Sequence, residues 1–192
     1  MIPGRILGIL WTTASWSSSG DEGVQITNQN HEIVKEVQNY FFELGYEYTI
    51  FQGPTENKRP GYKYDYYRMK IYNHYIISEL RNCYRWRGQR EEKRCYPNFV
   101  SEQQEIDFLR YYIKNQGHFD YRNTKWGQKK RYRVWVNYNF ADKLNYKISK
   151  IVGVNQNTPY PHTQSDITMT LYYQSQSDVN TILDFIGGAK ND

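Results

Sequence analysis

The sequence predicts an α+β fold built from two pseudo-symmetric αββαββα repeats. Three observations carry that expectation. Two segments, 30–44 and 101–115, place apolar residues at helical spacing, and each is followed by stretches in which apolar and polar residues alternate. Breaks containing Gly or Pro separate those stretches at hairpin spacing. The order helix, hairpin, helix, hairpin, helix then fits both halves of the 192 residues, which points to two units sharing one core rather than to a solenoid.

In the first unit, residues 1–82, Gly23–Thr27 (GVQIT) alternates as a strand. The helix 30–44 puts Ile33, Val34, Val37, Phe41 and Leu44 on one face, with Asn30 as its cap and Gly45 as its stop. Glu47–Phe51 and Tyr64–Tyr72 read as a strand pair around the loop GPTENKRPG, followed by a short helix, His74–Arg81. Only Ser15 to Thr27 separates the first two helices, so the leading hairpin of this unit is short and its half of any binding surface is reduced. A basic linker, residues 83–100, carries Trp86 together with Arg85, Arg87, Arg90, Lys93 and Arg94.

The second unit, residues 101–192, opens with Ser101 capping a helix to Asn115, with Gln104 at the capping-box position and Gly117 as the stop. His118–Arg122 and Arg131–Asn139 form the next hairpin around the basic turn NTKWGQKK. A helix Ala141–Val152, strands near Pro159 and at Thr168–Gln174, and a helix Ser177–Phe185 complete the set.

Composition narrows the function. With 25 Lys+Arg against 20 Asp+Glu the chain is net +5, which favours a polyanionic partner. No stretch is long and apolar enough to span a membrane, and the opening residues lack a signal-peptide pattern, so an intracellular protein of the cytoplasm or nucleoid is expected. Cys83 and Cys95 have neither zinc-site spacing nor disulfide density. His31, His74, His118 and His162 are scattered, and no phosphate-cradling glycine loop or nucleophile elbow is present. The 20 tyrosines suit a sheet face that meets nucleic acid, but an AT-rich genome accounts for them equally well.

The segments ILGILWTTAS (6–15) and LRYYIKNQGH (109–118), with the element order after each, resemble the signature helices and topology of the LAGLIDADG homing endonucleases. The resemblance implies two helices packed side by side and two antiparallel sheets forming a concave saddle over double-stranded DNA. It also implies an acidic residue at each helix end, where carboxylates hold Mg²⁺ for phosphodiester hydrolysis. Here Thr13 and Gln116 stand at those positions, and neither supplies a negative charge. No catalytic residue and no metal or other cofactor is therefore expected. Asp21, Glu22 and Asp120 are the substitutes available if the chain is instead a Mg²⁺-dependent endonuclease with unusual ligands. Tyr111 faces Gly8 where the family places small residues, which implies helices set further apart.

The best local argument for DNA is the second-unit hairpin, where Arg122, Lys125, Lys129, Lys130, Arg131 and Arg133 surround Trp135, Asn137 and Asn139. Arg forks onto guanine and Asn onto adenine, whereas Lys at a loop tip meets phosphate. Alternation puts Arg131 with Arg133, and Trp135 with Asn137 and Asn139, on shared faces. Lys58, Arg59, Lys63, Arg68 and Lys70 form a weaker patch in the first unit, and linker residues including Arg85 and Arg87 a candidate phosphate-binding strap. The reading is a monomeric, inactive, regulatory DNA-binding protein. An active endonuclease and an RNA- or protein-binding module are the alternatives.

Overall fold

GRILGILWTT forms α1 (Gly4–Thr13), a helix apolar on nearly every side and buried from Gly4 through Trp11 except at Arg5. The computed structural model describes residues 1–16, 23–46, 48–56, 63–86, 95–162 and 165–187, leaving aside the side chains of 16, 48–56, 63–65 and 165–166. After α1 come β1 (Ala14–Trp16), β2 (Val24–Asn28), α2 (His31–Glu43), β3 (Tyr48–Glu56), β4 (Lys63–Ile71) and α3 (His74–Asn82). The order recurs as α4 (Glu102–Gln116), β5 (Gly117–Thr124), β6 (Gly127–Asn137), α5 (Ala141–Val152), β7 (Tyr160–His162), β8 (Ser165–Tyr173) and α6 (Gln176–Phe185).

Each half contributes one antiparallel four-stranded sheet, ordered β1-β2-β4-β3 and β5-β6-β8-β7. The inner faces meet the helices in a single core that runs through both halves. Caps follow the residue chemistry: the side chains of Asn30, Asn73, Ser101 and Ser175 accept from the first-turn amides of α2, α3, α4 and α6.

The two central helices pack closer than the Gly8–Tyr111 pairing predicts. A Cβ on Gly4 would lie 2.0 Å from the Gln104 carbonyl oxygen, and one on Gly8 would lie 2.7 Å from Cβ of Tyr111. Two glycines one turn apart thus bring the backbones of α1 and α4 into contact. Tyr111 is no obstacle, because its ring extends past Gly8 to lie under the Arg5 guanidinium, 5.5 Å away.

α1 ends at Thr13, short of the 6–15 segment that carries the resemblance, and α4 ends at Gln116 with Gly117 as its C-cap, where the sequence puts the stop. Ala14 and Gly117 are extended and start strands, pairing with Ile26 and Val134. At Gly117 the Tyr132 hydroxyl occupies the space a Cβ would need and donates to the Ile113 carbonyl at 2.7 Å.

Three further expectations are revised. The segment 53–56 lies in β3 rather than in a loop, with Pro54 opposite Asp65 on an edge strand, where a missing amide donor is tolerated. The turn expected at NTKWGQKK shrinks to Lys125–Trp126, because Gly127 at φ +104° closes a two-residue loop and Gln128 to Lys130 are strand residues. The linker, where described, is structural: Tyr84, Trp86 and Tyr96 are buried, Trp86 packs 6.0 Å from Trp11, and Trp11 Nε1 donates to the Cys95 carbonyl at 3.1 Å. Among the described residues, β1 and β2 have 3 and 5 residues against 8 and 11 in β5 and β6, with 17–22 outside the described residues. The β3–β4 hairpin, 9 residues on each side, lengthens the same sheet elsewhere.

Candidate nucleic-acid interface

Two places matter: the C-terminal ends of α1 and α4, and the sheet faces turned away from the core. The helices bring the family's acid positions together, since Gln116 on α4 donates through Nε2 to the Thr12 carbonyl on α1 at 3.4 Å. Thr13 turns its hydroxyl back onto its own helix, donating to the Ile9 carbonyl at 2.8 Å. A cleft of about 590 Å³ opens beside these ends, lined in part by Thr12, Asn28, Asn30 and Lys114. Its carboxylates, Glu32 and Glu36, come from α2: Glu36 is held by Arg5 and Glu32 is 77% exposed.

A divalent cation does not fit the helix ends. One available ligand is a hydroxyl already donating within its helix and the other a neutral amide, while hard cations are held chiefly by charged oxygens. Among the described residues no group of three His, Cys, Asp or Glu is arranged to hold a metal. Asp21 and Glu22 lie outside the described residues. Asp120, the remaining substitute ligand, is engaged elsewhere: Arg131 grips it through Nε and through Nη2 at 2.9 Å, and Arg133 Nε lies 3.5 Å away. The Arg131 hydrogen bond holds this carboxyl below its ordinary range, and two guanidinium groups beside it repel a cation.

The outer face of the second sheet follows from strand alternation. Tyr132, Val134 and Val136 are buried, so Lys129, Arg131, Arg133 and Trp135 point outward. Register brings His118 and Asp120 of β5 and Thr170 and Tyr172 of β8 alongside them. Arg131 lies over the Tyr172 ring at 4.9 Å and Arg133 over Trp135 at 5.2 Å. Trp135, 36% exposed, is flanked by His118 and His162 with ring centroids at 6.4 and 6.1 Å. Arg122 donates to the Gln174 side chain at 2.6 Å.

Some sequence-predicted members stand elsewhere. Lys130 is on the opposite face, 4.5 Å over the Phe119 ring, because its neighbours Arg131 and Lys129 take the outer side. Lys125 sits at the loop tip over Trp126. Asn137 is buried and its side chain accepts from the Asn139 amide at 2.9 Å, turning the chain into a 3₁₀ turn, Tyr138–Phe140, so Asn139 leaves the strand face. Sequence reasoning passed over His118, His162, Thr170 and Tyr172. Period-two alternation within TMTLYYQ was the signal for the last two.

On the first sheet, Val24, Ile26, Met69 and Ile71 are buried, so Gln25, Thr27, Arg68 and Lys70 face outward in one register. Arg68 lies over the Tyr66 ring at 4.9 Å. Lys63 lies in β4, its side chain outside the described residues, as are Lys58, Arg59 and Arg87 entirely. Arg85 is exposed beside Tyr84, whose hydroxyl meets the Ile2 amide at 3.2 Å. That contact puts Arg85 near the start of α1, about 15 Å of helix from Thr13, rather than at the helix ends.

Solved structures share this architecture. The full-length DUF199/WhiA protein from Thermatoga maritima superposes with a TM-score of 0.60 at 11% identity, covering 97% of this chain. The chain spans 55% of that protein's length. The LAGLIDADG meganuclease I-CpaMI bound to uncleaved DNA gives 0.60 at 12% identity, covering 100% of this chain and 87% of its own. I-DmoI in complex with DNA and Mn gives 0.58 at 13% identity, covering 97% and 96%. No family model matches the sequence, and no curated protein is similar to it. The fold is that of the LAGLIDADG homing endonucleases.

Proposed function

We propose that this chain binds double-stranded DNA on the outer faces of its two sheets without cutting it, acting as a monomeric, intracellular regulatory factor. One observation carries the reading: cationic outer sheet faces coexist with helix ends that offer a hydroxyl and an amide where phosphodiester hydrolysis needs carboxylates. Both sheets spread from the adjacent ends of α1 and α4, so a duplex laid across those ends meets Arg68 and Lys70 on one side and Arg122, Lys129, Arg131 and Arg133 on the other. That I-CpaMI and I-DmoI, which share the fold, are bound to DNA supports a DNA partner. The two halves already supply the pseudo-symmetry a dimer would bring.

The face-specific test replaces Arg68 and Lys70 with alanine and, separately, Lys130. The Arg68→Ala/Lys70→Ala protein should lose duplex affinity and flatten its salt dependence, while Lys130→Ala, on the inner side, leaves both unchanged. Equal effects of the two changes would reject the outer-face assignment and favour a repurposed RNA- or protein-binding surface.

A further inference from the structure

We infer that Asp120 is a positioning residue for sequence readout, withdrawing Arg131 and Arg133 from phosphate contact and aiming their remaining N–H donors at a guanine edge. The inference rests on the DNA-binding reading above.

Alternation and register put all three side chains on one outer face, with Asp120 directly across from Arg131. Arg131 spends Nε and one Nη2 hydrogen on the carboxylate, and Nε of Arg133 lies 3.5 Å from Oδ2, the oxygen that accepts from Nη2, as an ion pair without a hydrogen bond. Each guanidinium is also held on a flat surface, Arg131 over Tyr172 and Arg133 over Trp135. The three groups are half-buried, their side chains 25%, 26% and 21% exposed. An arginine clamped along one edge and one face has lost most of its rotamers. What it still offers is a planar pair of donors at a fixed place.

Guanine presents two acceptors, O6 and N7, in the major groove, and a fixed arginine fork matches them. A phosphate brought to the same position meets the Asp120 charge, so the carboxylate discriminates against backbone contact. Arg122 differs: its hydrogen-bond partner is the neutral Gln174, so its full charge remains available to phosphate. Asp120 is the one carboxylate among the described side chains that alternation puts on this face. Its presence lowers general affinity, a cost that readout explains.

The test uses the full chain with Asp120→Asn, which keeps the shape, and Asp120→Ala, each checked by circular dichroism. Binding of mixed-sequence duplex DNA is measured across a salt series, and preferred sequences are selected from a randomised duplex pool. Freeing the two arginines should tighten mixed-sequence binding about three- to tenfold at low salt and steepen the slope of log K against log salt by about 1 to 2. Selection with the wild-type chain should enrich guanine at a fixed position, and that enrichment should fade in both variants. Folded variants with unchanged or weaker affinity and an unchanged slope, or selecting the same sequence as strongly, overturn the inference alone. A wild-type chain that binds no duplex at any salt overturns the DNA reading, and the inference with it. Removing a surface charge that positions nothing would also tighten binding, so the fading of guanine enrichment at one position is the readout that separates positioning from charge alone.

Discussion

Gly4→Ala tests whether the two central helices are in backbone contact. The added methyl would lie 2.0 Å from the Gln104 carbonyl oxygen and 2.9 Å from the Phe108 amide nitrogen, both backbone atoms that no rotamer change can move. Ordinary contact needs roughly 1 Å more or better, so the start of α1 must back away from α4 by about that much. The shift falls on a buried network in which Gln104 Nε2 donates to the Ile2 carbonyl at 2.7 Å and to the Tyr84 hydroxyl at 3.2 Å. Overpacking costs about 1–3 kcal/mol, and one buried hydrogen bond lost adds about 1 kcal/mol. The gain in helix propensity is at most about 1 kcal/mol and is smaller in a first turn. The net expectation is a loss of about 2–3 kcal/mol, or about 4–12 °C in Tm for a chain of this size. Urea unfolding at unchanged m, with a thermal melt beside it, measures it. Stability equal to or above wild type would refute the close packing and restore the wider spacing that Tyr111 suggests.

Trp86→Ala should cost about 3–5 kcal/mol by urea unfolding, because the ring is fully buried against Trp11; a loss under about 1 kcal/mol would mean the residues after α3 are not part of the core. Asp120 has a carboxyl pKa lowered by Arg131, so its ion pair stabilises the fold above the unfolded-state value of about 3.9 and the contribution fades as pH falls through the lower folded value. The stability gap between wild type and Asp120→Asn should therefore hold level from neutral pH to about 5 and close in more acidic solution; a gap that widens there contradicts the ion pair. Installing the missing charges as Thr13→Asp/Gln116→Asp should lower stability by about 1–3 kcal/mol, since two carboxylates would meet at the negative ends of two helices. Millimolar Mg²⁺ or Mn²⁺ should restore it and leave the wild-type Tm unmoved, and a wild-type Tm that rises with the metal would reveal ligands beyond Thr13 and Gln116.

The architecture was legible because periodicity and caps recur in both halves: Asn30 and Ser101 announced α2 and α4, and the hairpins followed by alternation. What sequence could not give was distance. Gly8 opposite Tyr111 looked like a loosened helix pair until Gly4, one turn earlier, supplied a second point of contact. The candidate interface was half legible. Arg131, Arg133 and Trp135 share a face as alternation requires, but the same rule put Lys130 on the inner side, and the side chain of Asn137 bent the strand before Asn139. Asp120 read as a spare metal ligand because nothing in the chain order shows that Arg131 lies across the hairpin from it. Trp86 read as linker because burial of a lone aromatic in a charged stretch depends on Trp11, 75 residues away in sequence.

The most direct measurement of the central claim is binding of mixed-sequence duplex DNA across a salt series, with and without Mg²⁺, with the same samples checked for strand breaks. The account predicts affinity that falls steeply with salt, no need for Mg²⁺ and intact DNA throughout. Mg²⁺-dependent breaks would contradict the reading of Thr13 and Gln116, and flat or absent binding would contradict the assignment of the outer sheet faces to DNA.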